Sequence, residues 1–177
     1  MLSALRDINS ESWNEVSTGK LIAASLGLLL LFVALLRDND RFIFLLDHTN
    51  LAFHEAGHII FGLFGRTLGL YGGTLGQLVF PLVALIAFWL RREAVSFAIA
   101  GVWFFENCLN IAHYMADARA QILPLVGGGG HDWANIFSRW GVLSYDTRIA
   151  ALVNILGWLG MTAIWVWIVW RWHEDRA

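Results

Sequence analysis

The sequence predicts an all-α protein, a polytopic bundle of membrane helices that forms a single domain over residues 1–177. Hydrophobic residues make up 58% of the chain and charged residues 15%, whereas soluble domains are about 45–50% apolar and about 25% charged. Several apolar runs approach the length of about 20 residues that a helix needs to cross a bilayer. Inside two of these runs the polar residues recur at helical spacing. We expect about five transmembrane helices, although the pattern is also compatible with four or six.

Five segments carry the predicted transmembrane helices. They are Leu21–Leu36, Arg41–Gly65, Leu75–Leu90, Ala94–Met115 and Ile149–Trp170. The second segment is the most polar, because Asp47, His48 and Asn50 interrupt it. The first segment resembles a signal peptide, but acidic residues precede it and no small-residue cleavage site follows it. We therefore expect the first segment to be a retained helix.

Two further segments lie outside these helices. Residues 1–20 mix apolar and polar side chains, which predicts an N-terminal segment lying along the membrane interface. Residues 118–148 form a long loop in which four glycines, Gly127–Gly130, precede a short amphipathic helix. That helix is predicted to have Asp132 as its N-cap and to end at Gly141. Its apolar face is expected to consist of Trp133, Ile136, Phe137 and Trp140.

Composition excludes several classes of protein and site. The single cysteine, Cys108, excludes an internal disulfide and a cysteine-based zinc site. A net charge of -2 without a basic run argues against a nucleic-acid partner. Lys and Arg divide equally between the two sides of a five-helix topology, so the positive-inside rule does not predict the orientation. The sequence does not predict the oligomeric state either. Small size and the lack of disulfides are typical of the bacterial inner membrane, which is the expected location.

The most informative motif is the H-E-x-x-H pentad that runs from His54 to His58 as His-Glu-Ala-Gly-His. On a helix, two histidines four residues apart project from one face, so both imidazoles can bind one Zn²⁺. Glu55 then lies close enough to remove a proton from a metal-bound water. The motif predicts a zinc site with His54 and His58 as ligands and Glu55 as catalytic base.

Ionisable and amide side chains form one stripe on each of two predicted helices, and a polar stripe in a membrane helix faces the bundle interior. The stripe on the pentad helix is Asp47, Asn50, His54 and His58. The stripe on the fourth helix is Glu106, Asn110, His113 and Asp117. We expect the two stripes to face each other.

A catalytic zinc ion takes three protein ligands and a water, so the pentad needs a third ligand from elsewhere. Asp117 is favoured, because a carboxylate binds zinc well and this one lies where a helix ends. Four other candidates remain: His113, Glu106, His131 and Asp132. The loop residues among them could also act from a lid over the site.

The pentad and the later residues Asn110 and Asp117 resemble the site-2 protease class of intramembrane zinc metalloproteases. In that class Gly often occupies the fourth position of the pentad, as Gly57 does here. A later helix supplies an Asn and an Asp, and the Asp is the third ligand. The resemblance extends over about Leu51–Asp117, and His113 stands where the family has Pro. It implies the ligand set His54, His58 and Asp117.

This resemblance implies a zinc-dependent intramembrane endopeptidase whose partners are a membrane-protein substrate and the lipid bilayer. Glu55 would act on the water, and a donor such as Asn110 or His113 would stabilise the oxyanion. The main alternative is a non-proteolytic metal-binding membrane protein, a transporter or a sensor. A structural protein that retains an idle pentad is a third possibility. Glu55 favours the hydrolase, because a transporter needs no base between two ligands.

Overall fold

The computed structural model describes residues 12–37, 43–126 and 130–176. Within these residues the helices are α1 (Thr18–Arg37), α2 (Phe44–Gly62), α3 (Arg66–Leu90), α4 (Ala94–Ala116), α5 (Asp132–Trp140) and α6 (Asp146–Glu174). A 3-10 turn, Leu143–Tyr145, leads directly into α6. The described residues contain no β-strand, which confirms the predicted all-α class.

Within the described ranges, four helical segments are long and apolar enough to cross a membrane, which indicates a membrane protein. They are α1, α3, α4 and Leu143–Glu174, which contains α6. These four match four of the five predicted spans. The remaining span corresponds to α2, whose polar residues keep it out of this group although it has 19 residues. Its first predicted residues, 41 and 42, lie outside the described part of the chain.

Helix α4 occupies the centre of the bundle, where it packs against both α6 and α3. Half of its most apolar stretch is buried, compared with 6% of the corresponding stretch of α1. Helix α1 instead exposes large apolar side chains such as Leu30 and Leu36, which contact lipid in a bilayer. The fold therefore encloses α4 and leaves α1 at the periphery.

Helices α2 and α3 approach each other closely because glycines line their contact. A Cβ atom built on Gly57 would lie 2.1 Å from the carbonyl oxygen of Gly72. One built on Gly76 would lie 2.2 Å from the carbonyl oxygen of Phe53. Both distances are far below van der Waals contact, so only glycine permits this separation. The fourth position of the pentad is thus fixed by helix packing.

Helix α5 confirms the predicted short helix of the long loop. It buries Trp133, Ile136 and Phe137 against side chains of α4 and α6, and Gly141 ends it in the left-handed conformation at φ 70°. Trp140, expected on the same buried face, is 53% exposed. Gly127–Gly129 lie outside the described residues.

The described part of the predicted interfacial segment, residues 12–17, is not helical. Its Trp13 packs edge-on against Phe97 of α4 and Trp167 of α6. Residues 1–11 of that segment lie outside the described part of the chain. The N-terminal chain therefore closes one end of the α4–α6 pair.

We expect Gly57→Ala to lower the thermal midpoint of the purified protein in detergent by several degrees. The new methyl group forces α2 and α3 apart, and such overpacking costs about 1–3 kcal/mol. Gly27→Ala is the control, because nothing lies within 4 Å of a Cβ at that position. Circular dichroism melts of both variants test this, and equal midpoints would show that the close helix contact is not needed.

Candidate metal centre

The pentad lies in the second half of α2, and its two histidines meet a carboxylate from the first residue of α5. The Nε2 atoms of His54 and His58 are 3.1 Å apart. Asp132 places its Oδ2 atom 3.0 Å from each of them. Across the described residues, these are the side chains whose ligand atoms gather as a metal ion would require.

The spacing of these three atoms fits a zinc ion. Tetrahedral coordination with bonds of about 2.0 Å separates ligand atoms by about 3.3 Å. The three separations here are 3.0, 3.0 and 3.1 Å, a nearly equilateral triangle. An ion held on one triangular face keeps a fourth position for water or substrate, which is the arrangement of catalytic zinc sites.

The protonation of the two imidazoles also fits a metal centre. His54 Nδ1 lies 2.9 Å from Gln77 Oε1, and His58 Nδ1 lies 2.7 Å from the carbonyl oxygen of Gly69. A carbonyl oxygen only accepts, so each Nδ1 carries a proton and each Nε2 is the nitrogen left to bind a metal ion. Both Nε2 atoms face the Asp132 carboxylate. A cation shared by these three atoms, either a proton or a metal ion, stabilises the arrangement.

The Gln77 amide is oriented by a chain of hydrogen bonds that ends at a carboxylate. Asn110 Nδ2 donates to Asp47 Oδ1 at 2.6 Å, since an ionised carboxylate has no proton to give. Asn110 Oδ1 therefore accepts from Gln77 Nε2 at 2.7 Å. This leaves Gln77 Oε1 for His54, and the backbone N–H of Ile43 donates to the other Asp47 oxygen. The orientation of the His54 imidazole on α2 therefore depends on side chains of α3 and α4.

The two polar stripes face each other, as predicted. Besides the contact between Asp47 and Asn110, Asn50 Nδ2 donates to Glu106 Oε2 at 2.9 Å. Trp103 also donates its indole N–H to Asn50 Oδ1 at 2.9 Å. Buried polar groups in an apolar bundle need such partners, because an unpaired polar group is costly there. Gln77 thus links Asn110 to His54 of the candidate cluster.

Gly73 of α3 provides the space that His54 occupies. A Cβ atom at this position would lie 2.3 Å from His54 Nε2 and 2.4 Å from Cε1. Any side chain there would push the imidazole away from Asp132. The glycines of α3 thus set both the helix separation and the position of His54, a candidate ligand.

Asp132 is held in place by the residues around the start of α5. The backbone N–H of Asp132 donates to Tyr114 Oη at 3.0 Å. The N-cap of α5 is His131, whose Nδ1 accepts the N–H of Ala134 at 3.2 Å. The expectation that Asp132 would be the N-cap is therefore wrong, because the neighbouring imidazole fills that position. This frees the Asp132 carboxylate to face the histidines.

The structure places Asp117 outside the cluster, contrary to the expectation that it is the third ligand. Asp117 follows α4, and its carboxylate accepts the backbone N–H groups of Ile122 at 2.9 Å and Leu123 at 3.1 Å. Its Oδ2 atom also lies 3.4 Å from Nε2 of the buried His131. These partners engage both oxygens of Asp117. Asp132, one of the alternatives that the sequence left open, takes its place.

The cluster opens into a cavity of about 940 Å³ between α2, α4 and the loop before α5. Glu55, His113 and Tyr114 line this cavity together with the cluster. Apolar residues of the loop, Leu123–Val126, line it as well. The volume falls in the range of sites that hold small ligands or a short stretch of peptide.

Burial and neighbouring charges set the ionisation of the residues at the start of α5. Burial raises the pKa of Asp132, but the two imidazoles beside it outweigh burial and hold that pKa at about 2. Asp132 is therefore an anion at neutral pH. Burial lowers the pKa of His131, against the opposing effect of Asp117. A neutral His131 suits its role as N-cap, since Nδ1 must accept a hydrogen bond.

Sequence reasoning did not identify Gln77, Gly73 or Tyr114 as neighbours of the pentad histidines. Gln77 forms hydrogen bonds with side chains of two other helices, and its contact with His54 depends on the register of α2 and α3. Gly73 carried no signal beyond its place in a glycine-rich segment. Tyr114 lies beside His113 on α4, and only the docking of α5 brings its hydroxyl to Asp132.

No protein-family model, curated protein or solved structure matches this chain. The resemblance to site-2 proteases and the bacterial inner-membrane location therefore remain predictions. The assignment of the candidate centre therefore rests on its geometry.

We expect Asp132→Ala to lose most bound zinc and Asp117→Asn to retain about one zinc ion per chain. The first change removes a ligand oxygen, whereas the amide introduced by the second keeps an acceptor for the backbone after α4. Inductively coupled plasma mass spectrometry on protein purified in detergent gives the zinc content. The opposite pattern would return the ligand role to Asp117.

We expect Gln77→Leu to weaken zinc binding about 10- to 100-fold, because His54 loses the acceptor that fixes its tautomer. Asn154→Leu on α6 is the matched control, since this amide has no hydrogen bond within the described residues. Competition with a chromogenic zinc chelator measures both affinities. Equal affinities in the two variants would exclude the role assigned to Gln77.

Proposed function

We propose that the protein is a zinc-dependent intramembrane endopeptidase that hydrolyses a peptide bond of a membrane-protein substrate. The observation that carries the proposal is the convergence of two Nδ1-protonated histidines and one carboxylate on a single point. Glu55 and a cavity large enough for a short peptide segment lie beside this point. The proposed ligands are His54, His58 and Asp132.

The donor set suits zinc better than it suits Mg²⁺ or Ca²⁺. Two imidazole nitrogens and one carboxylate are a frequent ligand set of catalytic zinc, whereas Mg²⁺ and Ca²⁺ prefer oxygen ligands throughout. When bound, the zinc ion supplies Lewis acidity, which polarises a carbonyl group and lowers the pKa of a bound water towards about 7.

Glu55 is placed to act as the general base. It lines the cavity and is half-buried, and its carboxylate has no hydrogen-bond partner among the described residues. In the proposed reaction Glu55 takes a proton from the attacking water as the oxygen–carbon bond forms. It then gives this proton to the amide nitrogen as the carbon–nitrogen bond breaks, so no other reactant is needed.

The surroundings of the cavity favour a substrate from the membrane. Large apolar side chains near the end of α2 are exposed, among them Ile59, Leu63 and Phe64. The cavity is bordered by apolar loop residues, Leu123 to Val126. A peptide segment that leaves the bilayer would meet these apolar side chains at the cavity. An extended segment is required, because a helix shields its own peptide bonds.

One observation favours the alternative of a cation carrier. The buried carboxylates of Asp47 and Glu106 line the same cavity as the cluster, as a cation pathway would require. Each is paired with an amide, to Asn110 and Asn50 respectively, which accounts for its burial without a cation. Glu55 has no such partner among the described residues, and this difference favours hydrolysis.

We expect Glu55→Gln to retain zinc and to lower cleavage of fluorescent casein in dodecyl maltoside on the order of 1,000-fold. Glu93→Gln, at the far end of α4, is the matched control and should cleave at the wild-type rate. Zinc uptake into proteoliposomes is measured in parallel. Cleavage by Glu55→Gln at the wild-type rate would refute the peptidase, and zinc flux that depends on the cluster would favour the carrier.

A further inference from the structure

Tyr114 is held beside the candidate cluster by two ring contacts. It lies in the last turn of α4, where its ring stacks on His131 with 4.2 Å between ring centroids. The same ring meets His54 edge-on, with 5.9 Å between ring centroids. An aromatic ring in contact with both of these residues has little freedom to move.

The hydroxyl group of Tyr114 accepts one hydrogen bond and, among the described residues, leaves its own hydrogen atom unbonded. Its oxygen accepts the backbone N–H of Asp132 at 3.0 Å. No described residue accepts the phenolic proton. A phenol that already accepts one hydrogen bond turns its own O–H away from that donor. Since Tyr114 lines the cavity with Glu55 and His58, the space available to this proton is the cavity.

We propose that Tyr114 is a catalytic residue that donates a hydrogen bond from Oη to the carbonyl oxygen of the scissile bond. This inference rests on the proposed peptidase function. The carbonyl oxygen gains negative charge as water adds to the carbon, and a pre-oriented donor stabilises that charge. The substrate class is accordingly a carbonyl compound that reacts through a tetrahedral state.

Asn110, one of the two donors expected from the stripe on α4, is already bonded to other side chains. Its amide nitrogen donates to Asp47 and its amide oxygen accepts from Gln77. Turning Asn110 into the cavity would break the chain that orients His54. Tyr114 can donate without breaking any hydrogen bond in the described part of the chain.

A purely structural role of Tyr114 predicts a different result, and the chain offers a matched control. Tyr71 also uses its hydroxyl to accept an N–H from α5, that of Trp140 Nε1 at 2.9 Å. Tyr71 does not line the cavity. If Tyr114 only anchors α5, Tyr114→Phe and Tyr71→Phe should behave alike.

The test uses the full-length protein in dodecyl maltoside, loaded with Co²⁺ so that its visible absorption reports ligand binding. A Phe-Leu phosphinate dipeptide is titrated as a tetrahedral oxyanion analogue, and 2-phenylethanethiol as a ligand that has no oxygen. Tyr114→Phe should weaken phosphinate binding on the order of 10- to 100-fold. Thiol binding and cobalt content should change less than about twofold, since the phenyl ring of this variant can still stack on His131. Tyr71→Phe should match the wild type in every titration.

Cleavage of fluorescent casein by the zinc form gives an independent measurement. Tyr114→Phe should lower kcat on the order of 100-fold while KM stays unchanged. Unchanged phosphinate binding by Tyr114→Phe, an equal loss in Tyr71→Phe, or no phosphinate binding by the wild type would overturn the assignment. If the wild type binds the phosphinate through Tyr114 but cleaves no casein, the assignment stands and the peptidase proposal is weakened.

Discussion

Three polar residues of α2 can be fully buried among apolar helices because α3 and α4 supply a partner for each of the three. Asp47 is paired with Asn110, Asn50 with Glu106, and His54 with Gln77. These pairs are formed across helices, so they fix the register of α2 against its neighbours as well as its stability. A shift of one turn would leave several buried polar groups without partners, at a cost of several kcal/mol each in a membrane. The position of the two histidines follows from this register.

The glycine contact and the hydrogen-bond chain depend on each other. Gln77 reaches His54 only because Gly57, Gly72 and Gly76 let α2 and α3 approach closely. In turn, the hydrogen bond between Gln77 and His54 forms only at that helix separation, so it stabilises that separation. The glycine packing and the polar hydrogen bonds thus specify the same geometry. Such agreement is expected of a sequence that encodes a single structure.

Hydropathy and helical periodicity predict most of the fold. Four apolar segments are helices, and the two polar stripes meet because each would be costly in contact with lipid. The pentad histidines lie together because their spacing is local. The third member of the cluster could not be chosen from such patterns. Asp117 and Asp132 are both carboxylates next to a helix end, and periodicity does not distinguish them. The choice depends on the docking of α5, which Tyr114 and His131 determine through long-range contacts.

The separation of the cluster along the chain has a consequence for biosynthesis. Two of its members belong to α2, whereas Asp132 follows α4 and the long loop. The ribosome has therefore synthesised every helix up to α4 before it adds the residue that completes the candidate centre. During that interval the nascent chain carries His54, Glu55 and His58 without their partner, so it is an incomplete hydrolase under the proposed function. Activity would begin only after α5 docks, which ties chemical competence to the end of membrane assembly.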